Sequence, residues 1–134
     1  MVTAKPKVMV IDDQRLIADT LAQILNQNGY EASPAYSGEA AMEVIHQSEP
    51  DLVLSDVRMN KLDGIQTALR IRILHPNCRI ILFSASHISD EDQARIDECE
   101  FEFLHRPLHP KDLLNHLRGT SWPKVIPFRR ARSI

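Results

Sequence analysis

The sequence predicts an α/β domain: a doubly wound, five-stranded parallel sheet in the order 2-1-3-4-5, with helices on both faces. Three observations predict it. Short apolar runs alternate five times with stretches of helical periodicity, the pattern of repeated βαβ units. The runs at 8–11, 52–54 and 80–83 are continuous rather than alternating, as suits strands covered on both faces. The second strand carries Pro34, which cannot donate to a ladder and so belongs at a sheet edge. Right-handed crossovers leave few topologies, and the order 2-1-3-4-5 puts that strand at an edge.

Each element has its own signal. Lys7–Ile11 (KVMVI) is the first strand. Leu16, Ile17, Leu21, Ile24 and Leu25 then recur at helical spacing, with Gly29 as a stop. Tyr30–Tyr36 (YEASPAY) is the second strand, and Ser37 caps a second helix carrying Ala40, Ala41, Val44 and Ile45. Asp51–Ser55 (DLVLS) is the third strand and runs into Asp56. After a loop, a helix from about Gly64 carries Ile65, Ala68, Leu69 and Ile73 and stops before Pro76. Arg79–Ser84 (RIILFS) is the fourth strand, and an acidic helix spans about Ser89–Glu98. Phe101–Leu104 (FEFL) is the fifth strand, and Pro110 opens a last helix with Leu113, Leu114 and Leu117.

The 134 residues suffice for one domain with a core, assigned to residues 5–118. No apolar run reaches the roughly 18 residues of a membrane span, and the first residues do not read as a signal peptide. Cys78 and Cys99 then read as reduced thiols in or near the core, in a cytoplasmic protein. The tail, 119–134, carries Lys124, Arg129, Arg130 and Arg132 and no acid. Without those four the body has 12 basic against 18 acidic residues, a net charge of about −6 that argues against general nucleic-acid binding. The tail reads as an extended, solvated appendage or as a segment that docks on an acidic surface.

In a doubly wound sheet the ligand site lies beyond the carboxyl ends of the strands. Those ends carry Asp12 and Asp13, Asp56, Ser84 and Arg106. The four glycines are widely separated, so no glycine-rich phosphate loop exists. The six histidines show no zinc spacing, and the G-x-S-x-G of a serine hydrolase is absent. Two carboxylates about 4 Å apart repel by roughly 4 kcal/mol at an effective dielectric near 20. Oxygen-only ligands at a wet rim suit Mg²⁺. The other reading of the acid pair is a helix N-cap favoured by the dipole.

These residues carry a family resemblance. VMVIDD in the first strand, LVLSDVRMNKLDG (52–64) around the third, RIILFSA (79–85) in the fourth and FLHRP (103–107) in the fifth resemble the receiver domain of bacterial response regulators. The resemblance implies a flavodoxin-like fold and a signalling module of a two-component phosphorelay, not a turnover enzyme. It implies Asp56 as the phosphoacceptor, loaded from a histidine kinase or phosphotransfer protein with Mg²⁺ as cofactor. Asp13 and Asp56 would ligate the metal directly, Asp12 through water, and Arg58 by its main-chain oxygen. Ser84 would bond the phosphoryl group, Arg106 would take the place of the family's lysine, and Phe103 that of its switch aromatic. A downstream protein would read the face of helix 4, strand 5 and helix 5, with homodimer formation on phosphorylation and no membrane or direct nucleic-acid partner.

Three departures stand out. Arg106 replaces a lysine with a planar fork, which leaves a pseudo-receiver with weakened phosphorylation as the alternative. Asn60 stands where the family often has proline, and Cys99-Glu100 replaces a small Gly-Ala pair. A Mg²⁺-dependent phosphatase of the haloacid dehalogenase type is a third reading, disfavoured because Arg58 occupies the position of its second acid.

Overall fold

In the computed structural model, residues 5–59, 61–84, 87–105 and 109–119 are described. Five strands and five helices alternate: β1 (Lys7–Ile11), α1 (Arg15–Asn26), β2 (Glu31–Ala35), α2 (Gly38–Ile45), β3 (Leu52–Asp56), α3 (Gly64–Leu74), β4 (Arg79–Ser84), α4 (Asp90–Glu98), β5 (Glu102–His105) and α5 (Pro110–Arg118). All four ladders are parallel, and the sheet order is β2-β1-β3-β4-β5, as the sequence predicts. Pro34 lies on an edge strand, paired in register with Val10.

Alternation along the central strands builds two cores. Met9, Ile11, Val53, Ile80 and Leu82 pack with residues of α2, α3 and α4, including Ile45, Ile71 and Ile96. Val8, Val10, Leu52, Leu54, Ile81 and Phe83 pack with α1 and α5 through Leu21, Leu25, Leu113 and Leu117. Side chains of successive strand residues point to opposite faces, so each continuous apolar run feeds both layers. Burying both faces makes these strands the rigid base of the site.

The helix ends follow local chemistry. The Ser37 and Ser89 hydroxyls accept from the Ala40 and Asp92 N–H groups, and Pro110 opens α5. Asp63 caps α3 in a reciprocal box with Gln66. At the end of α4 the Phe101 N–H donates to Ile96 and the Glu100 N–H to Asp97, a Schellman stop. Glu100 takes the left-handed position at φ 58°, which glycine usually fills. That stop uses the Phe101 N–H, so β5 begins at Glu102, one residue later than the apolar pattern suggests.

No helix among the described residues is long and apolar enough to cross a membrane. Cys78 is buried and Cys99 half-buried, both as free thiols. The tail beyond Gly119 and Asn60 lie outside the described residues.

Candidate functional site

The site begins where β1 runs out of apolar residues. The Asp12 N–H still donates to Ala35 of β2, at 3.1 Å, so Asp12 is held at the strand end and is 1% exposed. Its carboxylate accepts the Gln14 N–H at 2.9 Å, closing a short turn. α1 starts after this turn, with Gln14 as its N-cap and no side-chain cap bond. The acid pair is therefore not the cap of α1.

Asp56 is the last residue of β3, paired in register with Phe83 of β4. The Val57 N–H donates to the Phe83 carbonyl at 3.0 Å, and the Arg58 N–H reaches the Asp56 carboxylate at 3.4 Å. α3 presses on this strand end. A Cβ on Gly64 would stand 1.9 Å from the Asp56 carbonyl oxygen, so only glycine fits there. The sequence offered the signal, a glycine closing the 52–64 motif, but not its geometric reason.

The sheet brings the three acids together. One carboxylate oxygen from each of Asp12, Asp13 and Asp56 lies within 4.8 Å of the other two. Burial pushes the Asp56 carboxyl up to about 7, reinforced by the charges of Asp12 and Asp13 and opposed by the Arg58 and Val57 N–H groups. Burial also raises Asp12, against the Gln14 hydrogen bond and with help from Asp13. Three oxygen donors brought this close fit a hard divalent cation, which would relieve the repulsion among them.

The other expected residues fall as follows. Ser84 ends β4, buried, one residue past the Asp56–Phe83 pair. Phe103 is half-buried on β5, packs against the α2–α4 core and meets the His105 ring edge-on at 4.6 Å. The Arg58 side chain is exposed and donates to the His87 carbonyl at 3.4 Å, tying the loop after β3 to the loop after β4. Arg106 lies outside the described residues.

A charge network at the opposite end of the sheet was not foreseen. Arg79, 4% exposed at the start of β4, donates from Nε and Nη2 to both oxygens of Glu102 on β5, at 3.0 and 2.7 Å. His116 Nε2 of α5 meets the same carboxylate at 2.5 Å. The one signal in the sequence is an arginine opening a strand that is otherwise fully buried.

Comparison with known proteins agrees with this geometry. The model of the response regulator receiver domain family matches residues 8–118. Response regulator MprA of Mycolicibacterium vanbaalenii is 30% identical over 113 residues, which cover 84% of this chain and 49% of that protein. The chain thus spans about half the length of the curated relatives it matches. Among solved structures, Vibrio cholerae chemotaxis protein CheY4 superposes with a TM-score of 0.79 at 24% identity, over 88% of this chain and 100% of that one. Thermotoga maritima TrrA, solved in complex with Mg²⁺-BeF, gives 0.73 at 24% identity, over 85% and 97%. At these identities the structural likenesses speak to the fold.

Proposed function

The chain belongs to the response regulator receiver domain family, and on that premise we propose that Asp56 is the phosphoacceptor of a two-component phosphorelay. The observation that carries this reading is the convergence of Asp12, Asp13 and Asp56 within 4.8 Å at the carboxyl end of the sheet. Asp56 attacks the phosphorus of a phosphohistidine or a small acyl phosphate. An O–P bond to Asp56 forms as the donor's P–N or P–O bond breaks, and the leaving group departs with the electron pair. Asp13 and Asp56, with Asp12 through water and the Arg58 main-chain oxygen, are the groups that would hold Mg²⁺. The ion supplies positive charge against the carboxylates and the phosphoryl oxygens. The Mg²⁺-BeF complex of TrrA supports that reading.

Ser84 and Arg106 are the groups assigned to the phosphoryl oxygens, and Phe103 is the switch aromatic. Phe103 lacks a hydroxyl, so its response works by packing. The protein is a phosphoacceptor rather than a turnover enzyme. It is cytoplasmic, receives phosphate from a histidine kinase or phosphotransfer protein, and presents α4, β5 and α5 to a downstream protein or to a second copy. Intact-mass measurement after incubation with acetyl phosphate and Mg²⁺ tests it. One phosphoryl group should be added, labile at alkaline pH and absent in Asp56→Asn. An unchanged wild-type mass at high donor concentration would instead make the domain a pseudo-receiver.

A further inference from the structure

α4 is attached to the body differently from the other helices. It buries one residue, Ile96, whereas α1 buries four and α3 five. Among the described residues, two arginines add polar attachments at its C-terminal end. At its far end, Arg72 of α3 donates to the Cys99 carbonyl at 2.6 Å while its guanidinium lies 4.0 Å over the Phe101 ring. In its last turn, Arg95 Nη1 bridges Asp92 of α4 at 3.1 Å and Asp63 at 3.4 Å.

Asp63 is not an ordinary surface acid. One carboxylate oxygen accepts the Gln66 N–H at 2.8 Å and caps α3, and the other takes Arg95. The next residue, Gly64, packs directly on the Asp56 carbonyl and donates its N–H to Val57 at 3.0 Å. Contact is therefore continuous from the Asp56 backbone through Gly64 and Asp63 to Arg95. There is no slack at the Gly64 step, because not even a methyl group would fit between it and the strand. A shift of the strand end displaces the start of α3, and with it the acceptor that Arg95 holds.

We propose that Arg95 is a positioning residue that couples α4 to the phosphoacceptor strand. Its ion pair with Asp63 holds α4 in the resting place, and phosphorylation of Asp56 works against that pair. The second half of this statement rests on the phosphoacceptor reading above; the first does not. The Arg95–Asp63 pair is one of several attachments of α4 and is partly exposed, and such a pair changes an opening equilibrium by a few-fold.

The test is amide hydrogen exchange across α4 in the full chain, first without any donor. Arg95→Gln should speed exchange of the α4 amides by about threefold. Asp63→Asn, which keeps an N-cap acceptor but drops the charge, should do the same. The double variant should be no faster than either single one, and Arg95→Lys should restore part of the protection. Independent, additive effects, or unchanged α4 exchange in Arg95→Gln, would overturn the coupling. The rate of labelling by acetyl phosphate is then compared. If α4 is the restraint, Arg95→Gln labels about threefold faster than wild type, since its competent state is more populated. An equal rate would overturn the link to Asp56. A wild type that takes no label would refute the phosphoacceptor reading, and with it that link, while the exchange data alone decide the latch.

Discussion

The two ends of the sheet hold buried carboxylates in opposite electrostatic settings. At the amino ends of β4 and β5, Glu102 faces the Arg79 guanidinium and the His116 ring. Burial alone would raise its pKa, but those hydrogen bonds and charges outweigh it, and the net shift is downward. At the carboxyl ends of β1 and β3, Asp12, Asp13 and Asp56 face one another, and Asp56 rises to about 7. Similar burial thus gives opposite outcomes, decided by neighbours. A satisfied acid is a fastener, whereas acids crowded against their own kind are relieved by a proton or a cation.

The largest effect should come from breaking the satisfied end. Glu102→Ala leaves Arg79 in the interior without its carboxylate and should cost about 3 kcal/mol in urea unfolding at neutral pH. A loss well under 1 kcal/mol would show that the fastener is dispensable. The next effect separates the two ends by pH. Between about pH 4, where an unfolded Asp ionises, and the native Asp56 value of about 7, the folded chain binds that proton more tightly than the unfolded chain. Metal-free stability should therefore fall as pH rises through this window, by about 2 kcal/mol after solvent screening. Glu102 has the other sign: its contribution is present above the unfolded carboxylate pKa and is lost as pH falls through its lowered native one. Urea midpoints measured with chelator against pH should show the first slope flattened in Asp56→Asn and the acid-side loss reduced in Glu102→Gln.

A smaller change is expected at Asp13. Replacing it by Ala should raise metal-free stability by about 1 kcal/mol through relieved repulsion. It should also abolish the gain on adding Mg²⁺, which in wild type follows RT ln(1 + [L]/Kd). Metal-free destabilisation in thermal melts would count against the crowded-acid picture. The smallest effect sharpens the contrast from the structural side. Glu100→Gly removes a non-glycine residue from the left-handed position and should stabilise the chain by about 0.5–1 kcal/mol. If that end of the sheet serves only the fold, acetyl phosphate labelling should be unaltered.

Much of this architecture was legible because each signal was local. The continuous runs around Val10, Leu54 and Leu82, the proline at 34, and the Ser37, Ser89 and Pro110 helix starts each specify one element without reference to distant residues. The acid cluster needed one more step, the rule that strand ends meet at a rim, which put Asp12, Asp13, Asp56, Ser84 and Arg106 at one rim; the structure brings the three carboxylates within 4.8 Å of one another. What was not legible depends on register between elements. Arg79 meets Glu102 only because β5 pairs with β4 so that Glu102 lies opposite Ile81, and His116 joins only after α5 has docked. Arg95 meets Asp63 across two helices 32 residues apart. The departure at Cys99-Glu100 was visible as composition, but its cost, a left-handed glutamate, belongs to the backbone.

The burial of Cys78 has a practical consequence. Its thiol is pushed up to about 12 by burial, with Asp51 and Glu49 adding to the shift. At neutral pH its thiolate fraction is then on the order of one in a hundred thousand, well below that of an ordinary cysteine. Cys99 is half-buried at the exit of α4, and these are the two cysteines of the chain. A maleimide fluorophore should therefore attach at one place without any engineering. The chain carries a built-in spectroscopic handle at the exit of α4.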